Sequence, residues 1–325
     1  MNQKTVQPNI NEHEIRHDWT FEEALAIYNL PFNDLLEKAH EVHKKFFNSN
    51  EIKISTLYNI KQAGCPEDCK FCNQSAHYNK KIPKTPFVSV EQTIEAAKKA
   101  KANGATRFCM VAAWRGPHDK DIPTLVEMVK EVKALGMETC VSAGFLKAHQ
   151  AHQLKEAGLE YYNHNIETSQ EHYPNICSTH KFSDRLETVQ NVTDAGMRVC
   201  CGLLIGMDES VEDRARALRV LANLKEHPKS VPINRLIKFP ETPGAEMEGA
   251  DDFDLVRTVA LARIMIPTAY VRLSGGRRET SATAQALCYF AGANSIHFGD
   301  TLLTSPNYSP EKDMETFAKL GLTTV

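Results

Sequence analysis

Apolar and polar positions along this chain alternate between two rhythms. The segments AKANGATRF, VKALGMETC, LKEAGLEYY and VTDAGMRVC each close a helical pattern at Gly104, Gly136, Gly158 or Gly196 and pass directly into a β-rich run. Glycine at that point reads as the end of a helix. Ser89 with Gln92 three residues later forms a capping box, and Val90, Ile94, Ala97 and Ala100 follow along one helix face. The pattern predicts strands near 53–58, 106–112, 137–142, 159–165, 197–205, 232–238, 269–274 and 294–298. The helical stretches between them include 210–224, 252–266 and 279–291.

Strands joined by helical crossovers must run parallel, and eight such units favour a closed barrel over an open doubly wound sheet. The expected class is α/β, a (β/α)8 TIM-type barrel. Residues 1–50 read as an N-terminal helical extension, with apolar faces from Phe21 to Tyr28 and Phe32 to Phe47. No glycine-serine or proline-rich linker divides residues 51–325, which are expected to form one catalytic domain.

Composition narrows the chemistry. The 325 residues carry 38 Lys+Arg against 41 Asp+Glu, a formal charge of -3, and no long basic block. That argues against a nucleic-acid partner or a membrane surface and leaves small-molecule chemistry as the expectation. No apolar run is long enough to span a membrane, and the polar first residues lack the centre of a signal peptide, so a cytoplasmic protein is expected. Nine cysteines in such a chain suit metal ligation or thiol chemistry better than disulfides.

Three of them, Cys65, Cys69 and Cys72, stand in GCPEDCKFCNQS with CxxxCxxC spacing, on the loop expected after the first strand. Structural zinc normally takes four ligands, often from paired CxxC knuckles, and would need a further donor such as His77. Three cysteines instead suit a 4Fe-4S cluster with one iron left open to a small molecule. Unrelated thiols are the third possibility. The spacing, with Phe71 before the last cysteine, resembles the motif of the radical S-adenosylmethionine (SAM) superfamily. That resemblance implies a cluster-bound SAM whose reductive cleavage yields a radical able to take hydrogen from an unactivated carbon.

A second group of polar residues falls on the strands. Side chains two apart share a face, so Arg107 goes with Cys109, Asn163 with Asn165 and Glu167, and Arg198 with Cys200, while Cys140, Asn234 and Arg272 come from three more strands. If these faces point inward, the barrel holds a polar site, because unpaired buried polar groups are costly. A lone buried cysteine is more often a small hydrophobe, and only convergence from several strands changes that reading. Cys177, Cys201 and Cys288 read as structural or incidental thiols, with Cys201 facing outward.

From about Trp19 onward the chain resembles the biotin synthase family, through STLYNIKQAGCPEDCKFCNQS, TRFCM, YYNHN, VPIN, YVRLSGGR and GANSI. The resemblance implies a homodimeric barrel that converts dethiobiotin to biotin with SAM, fed by an electron donor such as flavodoxin or ferredoxin. It assigns Cys65, Cys69 and Cys72 to a 4Fe-4S cluster, and Cys109, Cys140, Cys200 and Arg272 to a 2Fe-2S cluster that donates the sulfur. An arginine ligand rests on resemblance alone, since guanidinium is cationic and has no free lone pair. By the same comparison SAM contacts are Phe71, Ala112, Trp114, Asn163, Asn165, Glu167 and Leu204, and substrate contacts are Lys61, Arg107, Asn165, Asn234 and His297.

Three positions depart from the family pattern. Glu167 stands for an aspartate, Leu203 replaces a glycine and is expected to tighten the space beside SAM, and His297 replaces a phenylalanine, either as a flat packing surface or as a polar contact. Two other readings remain at this point. A radical SAM maturase or mutase would share the loop motif without needing Cys109, Cys140, Cys200 and Arg272 together. A non-catalytic iron-sulfur or zinc protein would use its cysteines for electron transfer or structure.

Overall fold

The structure, a computed structural model, describes residues 15–78 and 81–325. The first 14 residues of the expected N-terminal extension lie outside that set.

Two helices come first, α1 (Phe21–Tyr28) and α2 (Phe32–Phe46). The barrel then runs β1 (Glu51–Lys61), α3 (Val90–Ala102), β2 (Arg107–Ala112), α4 (Ile122–Ala134), β3 (Glu138–Ser142), α5 (Ala148–Glu156), β4 (Tyr161–Asn163), a single turn α6 (Tyr173–Ile176) and α7 (Phe182–Asp194). It continues with β5 (Arg198–Cys200), β6 (Leu203–Ile205), α8 (Val211–Ala222), β7 (Ser230–Arg235), α9 (Asp252–Met265), β8 (Tyr270–Leu273), α10 (Ala282–Phe290) and β9 (Ala293–His297). A small hairpin, β10 (Thr301–Leu302) with β11 (Ser305–Pro306), precedes α11 (Pro310–Leu320) and β12 (Thr323–Thr324). All barrel pairings are parallel, and β9 returns to β1 through Lys53 opposite Ser295, which closes the sheet.

Helix boundaries follow the local chemistry. Ser89 caps α3 and exchanges hydrogen bonds with Gln92; Thr20 with Glu23, Ser210 with Asp213 and Asp251 with Asp254 do the same for α1, α8 and α9. Gly104, Gly136, Gly158 and Gly196 all take positive φ just past their helices, where a side chain would be strained.

The expected strand at 197–205 is broken in two. At Gly202 a Cβ would lie 1.9 Å from the Pro232 carbonyl oxygen on β7, so only glycine fits this close approach. The break lets β5 serve both neighbours while β6 pairs with β7 alone. Together they fill the fifth of eight barrel positions.

Helix α1 packs on α8 and α9, and α2 on α9. Among the described residues no helix is long and apolar enough to cross a membrane. At the α2–α9 contact His43 is fully buried and neither ring nitrogen has a hydrogen-bond partner. Burial, with Arg263 and His40 close by, pushes its pKa down to about 3. The folded protein therefore holds a neutral imidazole that the unfolded chain protonates below about 6.5. The stability this group contributes is full above that pH and falls as the pH drops, by about 2 kcal/mol between pH 7 and pH 5. Urea midpoints of the parent and His43→Leu at the two pH values check this: the variant should lose less stability by that amount, and an equal loss would refute it.

Candidate functional site

The CxxxCxxC segment lies where β1 runs into the loop before α3, at the C-terminal mouth of the barrel. Its turns are built locally. Ala63 and Gly64 take positive φ, the Cys65 amide donates to Gln74 O at 3.0 Å, and the Cys72 amide donates to Cys69 O at 3.0 Å. Longer-range bonds hold it in place. Asp68 accepts from the amides of Ser178 (2.9 Å) and Thr179 (3.1 Å), and Glu67 accepts from Arg115 (2.7 Å), Thr179 Oγ1 (2.6 Å) and the His180 ring. His77 does not line the cavity that the three cysteines face, and its Nε2 lies 2.9 Å from Pro66 O.

Cys65, Cys69 and Cys72 face a cavity of about 260 Å³. Phe71, Ala112, Trp114, Asn163, Asn165 and Glu167, all expected near SAM, line the same cavity. Leu204 lines an adjoining space of about 210 Å³ with Phe71, Cys72, Asn165 and Glu167. Leu203 does not narrow either one, because it is buried in the apolar core. Glu167 lies beyond β4 rather than on it, at φ 68°, and its amide donates to Gly202 O at 3.3 Å. Burial raises its pKa, and Arg185, 3.7 Å away, opposes that rise.

A third cavity, of about 140 Å³, sits deeper in the mouth and shares Ser142, Asn163 and Asn165 with the first. Asn234 and His297 line it. His297 Nδ1 has no hydrogen-bond partner, and burial, together with Arg272, Arg107 and Arg277, keeps the ring neutral. The β10–β11 turn forms its roof through Leu302 and Leu303, and Thr304 Oγ1 donates to Asn73 Oδ1 at 3.0 Å, tying that roof to the cysteine loop.

Below these cavities Cys109, Cys140 and Cys200 form a cluster with Tyr161 in the barrel interior, each at most 2% exposed. Register explains the meeting: Cys109 is opposite Cys140, Cys140 opposite Tyr161, and Cys200 opposite Asn163. Asn163 Nδ2 donates to Cys200 Sγ at 3.3 Å and also reaches the upper cavity, so one side chain touches both levels. Arg272 crosses from β8, donating to Ser295 Oγ (3.0 Å) and Ser55 Oγ (3.2 Å), with a terminal nitrogen 4.0 Å from Cys200 Sγ. A hydrogen bond from Cys140, reinforced by Arg272 and Arg107, makes Cys109 the more acidic of the pair, while the same bond and burial push the Cys140 thiol up.

The structure also places four further residues differently from the sequence expectation. Arg107 begins β2 at the opposite, N-terminal end of the barrel, where it stacks 3.6 Å from the Tyr161 ring and pairs with Glu138; it lines none of the three cavities. Lys61 also lines none of them, because its ammonium donates to the carbonyls of Ala63 (2.6 Å) and Ala113 (2.9 Å). Arg198 shares parity with Cys200 but is largely exposed at the barrel floor. Cys177, which the sequence presents as a structural or incidental thiol, has its sulfur 3.8 Å from Cys69 Sγ.

Arg185 was missed altogether. It donates to Asn165 O at 2.9 Å beside Glu167, and its signal is a charge among Phe182, Thr188, Val189 and Val192 on the buried face of α7.

The donor sets fit two sulfur-ligated centres. At the loop, three thiols face a shared cavity that His164 and His180 also line, and the His180 ring is engaged by Glu67 on one nitrogen and by the Tyr173 hydroxyl on the other. In the interior, two buried guanidiniums stand beside three thiols, Glu138 is the carboxylate paired with Arg107, and Arg107 Nη1 has no hydrogen-bond partner. That positive charge favours a thiolate at Cys109.

Residues 59–221 match the family model described as the radical SAM superfamily, and residues 232–323 match the biotin and thiamin synthesis associated domain. Among curated proteins, the chain is 54% identical to a biotin synthase from Hahella chejuensis, over 95% of this chain and 87% of the relative. It is 53% identical to a biotin synthase from Methylococcus capsulatus, over 98% of both. Solved structures with the same fold include methylornithine synthase (TM-score 0.79, 19% identity, 94% of each chain). Another is the FeFe-hydrogenase maturase HydG from Carboxydothermus hydrogenoformans (TM-score 0.81, 18% identity, 94% of this chain and 76% of the other).

Proposed function

Because the chain belongs to the biotin synthase family, we propose a division of labour among its residues for converting dethiobiotin to biotin. The enzyme uses a 4Fe-4S cluster with SAM, which when bound supplies the hydrogen-abstracting radical, and a 2Fe-2S cluster, which supplies sulfur.

Cys65, Cys69 and Cys72 hold the first cluster, and Cys109, Cys140, Cys200 and Arg272 the second. Phe71, Ala112, Trp114, Asn163, Asn165 and Leu204 shape the SAM site, and Glu167 accepts from its ribose hydroxyls while Arg185 sustains the carboxylate charge. Asn165, Asn234 and the neutral His297 bind dethiobiotin, whose ureido ring offers donors and acceptors that amides and an uncharged imidazole can match. The Leu302–Thr304 roof excludes water, which a radical reaction requires.

Arg107 and Lys61 take different roles from those the resemblance implied. Arg107 supplies counter-charge to the deep thiols, and Lys61 braces the end of β1 against the loop carbonyls.

The observation that carries this reading is the stacking of two three-thiol groups at two levels of one barrel, with Asn163 bonded to Cys200 of the lower group and lining the cavity that the upper group faces. The helices α1 and α2 form an extension to a single catalytic domain, 51–325. The enzyme works as a cytoplasmic homodimer, with reduction by a flavodoxin or ferredoxin.

Anaerobic reconstitution with iron and sulfide tests the reading. Two optically distinct centres, and biotin formed from dethiobiotin with SAM and reductant, are expected; bound zinc without sulfide, or SAM cleavage without sulfur insertion by the parent enzyme, would refute it.

A further inference from the structure

Cys177 lies just past α6, 108 positions along the chain from Cys69, yet the two residues face each other directly. The Lys70 amide donates to Ile176 O at 2.9 Å, and the Ser178 amide donates to Asp68 Oδ1 at 2.9 Å. One residue further in on both strands of this clamp are Cys69 and Cys177. Their sulfurs are 3.8 Å apart, with Cys69 Sγ donating to Cys177 Sγ, and the residues are 8% and 3% exposed. One backbone–backbone bond and one bond from a backbone amide to a carboxylate thus flank the two cysteines, and the 3.8 Å between their sulfurs puts them within reach of a disulfide.

A metal ion is the competing occupant, since Cys69, Cys177 and His180 offer donor atoms within 4.8 Å of one another. The imidazole is already engaged on both sides, by Glu67 at Nδ1 and by the Tyr173 hydroxyl at Nε2 (2.7 Å). A metal would have to break one of those imidazole bonds, whereas a disulfide gives up the weaker bond from Cys177 Sγ to Asp68 Oδ1 (3.1 Å), and that carboxylate keeps its bonds from the Ser178 and Thr179 amides.

We infer that Cys69 and Cys177 form a reversible disulfide before the loop takes up its cluster, with a low-molecular-weight disulfide such as oxidised glutathione as the oxidant. One protein thiol attacks the small disulfide, giving a mixed disulfide and one free small thiol; the other protein thiol then displaces the second. One S–S bond breaks and one forms, both protein protons end on the released thiols, and two electrons pass to the oxidant. Cys69 lines the cavity at the barrel mouth, which gives the oxidant its route in. The pair stands independently of the proposed function. Its consequence, that oxidation blocks loading of the loop cluster, rests on Cys69 being a cluster ligand.

The full-length chain, stripped of iron and treated anaerobically with oxidised glutathione, is alkylated and mapped by mass spectrometry. A linked peptide joining Cys69 to Cys177, cleaved by dithiothreitol, is expected. It should be absent from both Cys177→Ser and Cys177→Ala, and the cluster-loaded protein should resist its formation. Iron uptake at the loop should fall at least fivefold after oxidation of the parent, recover with dithiothreitol, and be unaffected by the same treatment in the Cys177 variants. A Cys69–Cys72 or Cys65–Cys69 link, stable glutathionylation without a cross-link, or zinc held by Cys177 would overturn the pair. A Cys69–Cys177 link with undiminished iron uptake would leave the pair standing and overturn the assignment of Cys69 as a ligand.

Discussion

Cys69→Ala is expected to lower 5'-deoxyadenosine release from SAM by more than about 100-fold, beyond the loss of about 10- to 100-fold typical of an outer-shell partner of a metal site. The reason is the donor count. The loop offers three thiols, and a cluster held by two would lose the arrangement that leaves a single iron open. Misfolding is not expected to cause the loss, because Glu67 and Asp68 still tie the loop to Thr179 and Ser178. Cys177 is near enough to act as a surrogate ligand, so the measurement needs Cys69→Ala alone and combined with Cys177→Ala. Release near the parent level in the double variant would refute the role of Cys69.

Cys200→Ala is expected to separate the two chemistries. SAM cleavage should persist within a few-fold of the parent, while biotin formation falls by more than about 100-fold, as for loss of a ligand to a metal centre. Cys200 belongs to the deep group with Cys109 and Cys140 and lines none of the three upper cavities. Its removal leaves Asn163 Nδ2 with two other acceptors, Cys200 O (3.2 Å) and Asn165 Oδ1 (3.2 Å), so the upper site keeps its shape. The ratio of 5'-deoxyadenosine to biotin, followed with the optical spectrum of the reconstituted variant, reports the result. A parallel fall in both products would mean that the two thiol groups do not act separately.

The order of elements was legible because its determinants are local. Capping boxes and positive-φ glycines act within a turn of chain, and they marked helix ends that the structure reproduces. Strand parity put Cys109 on the same face as Arg107, and both are interior. Parity could not say how far along the barrel each residue lies. Arg107 and Arg198 begin their strands and so end up at the floor, below the level of Cys109 and Cys200 and remote from the cavities at the mouth. Height in the barrel depends on tilt and stagger among strands, which no single strand encodes.

The sequence by itself determined the kind of molecule: the alternation of strands and helices, the three-cysteine loop, and the family to which its motifs pointed. Tertiary structure decided which of those residues meet. It split the fifth strand at Gly202, because a carbonyl from β7 occupies the space a side chain would need. It also opposed Cys177 to Cys69, brought Arg185 to Glu167, and removed Lys61 and Arg107 from the cavities. The physical reason is range. Caps, turns and alternation are settled among neighbours in the chain, whereas contacts between distant segments are set by the register and packing of the whole barrel.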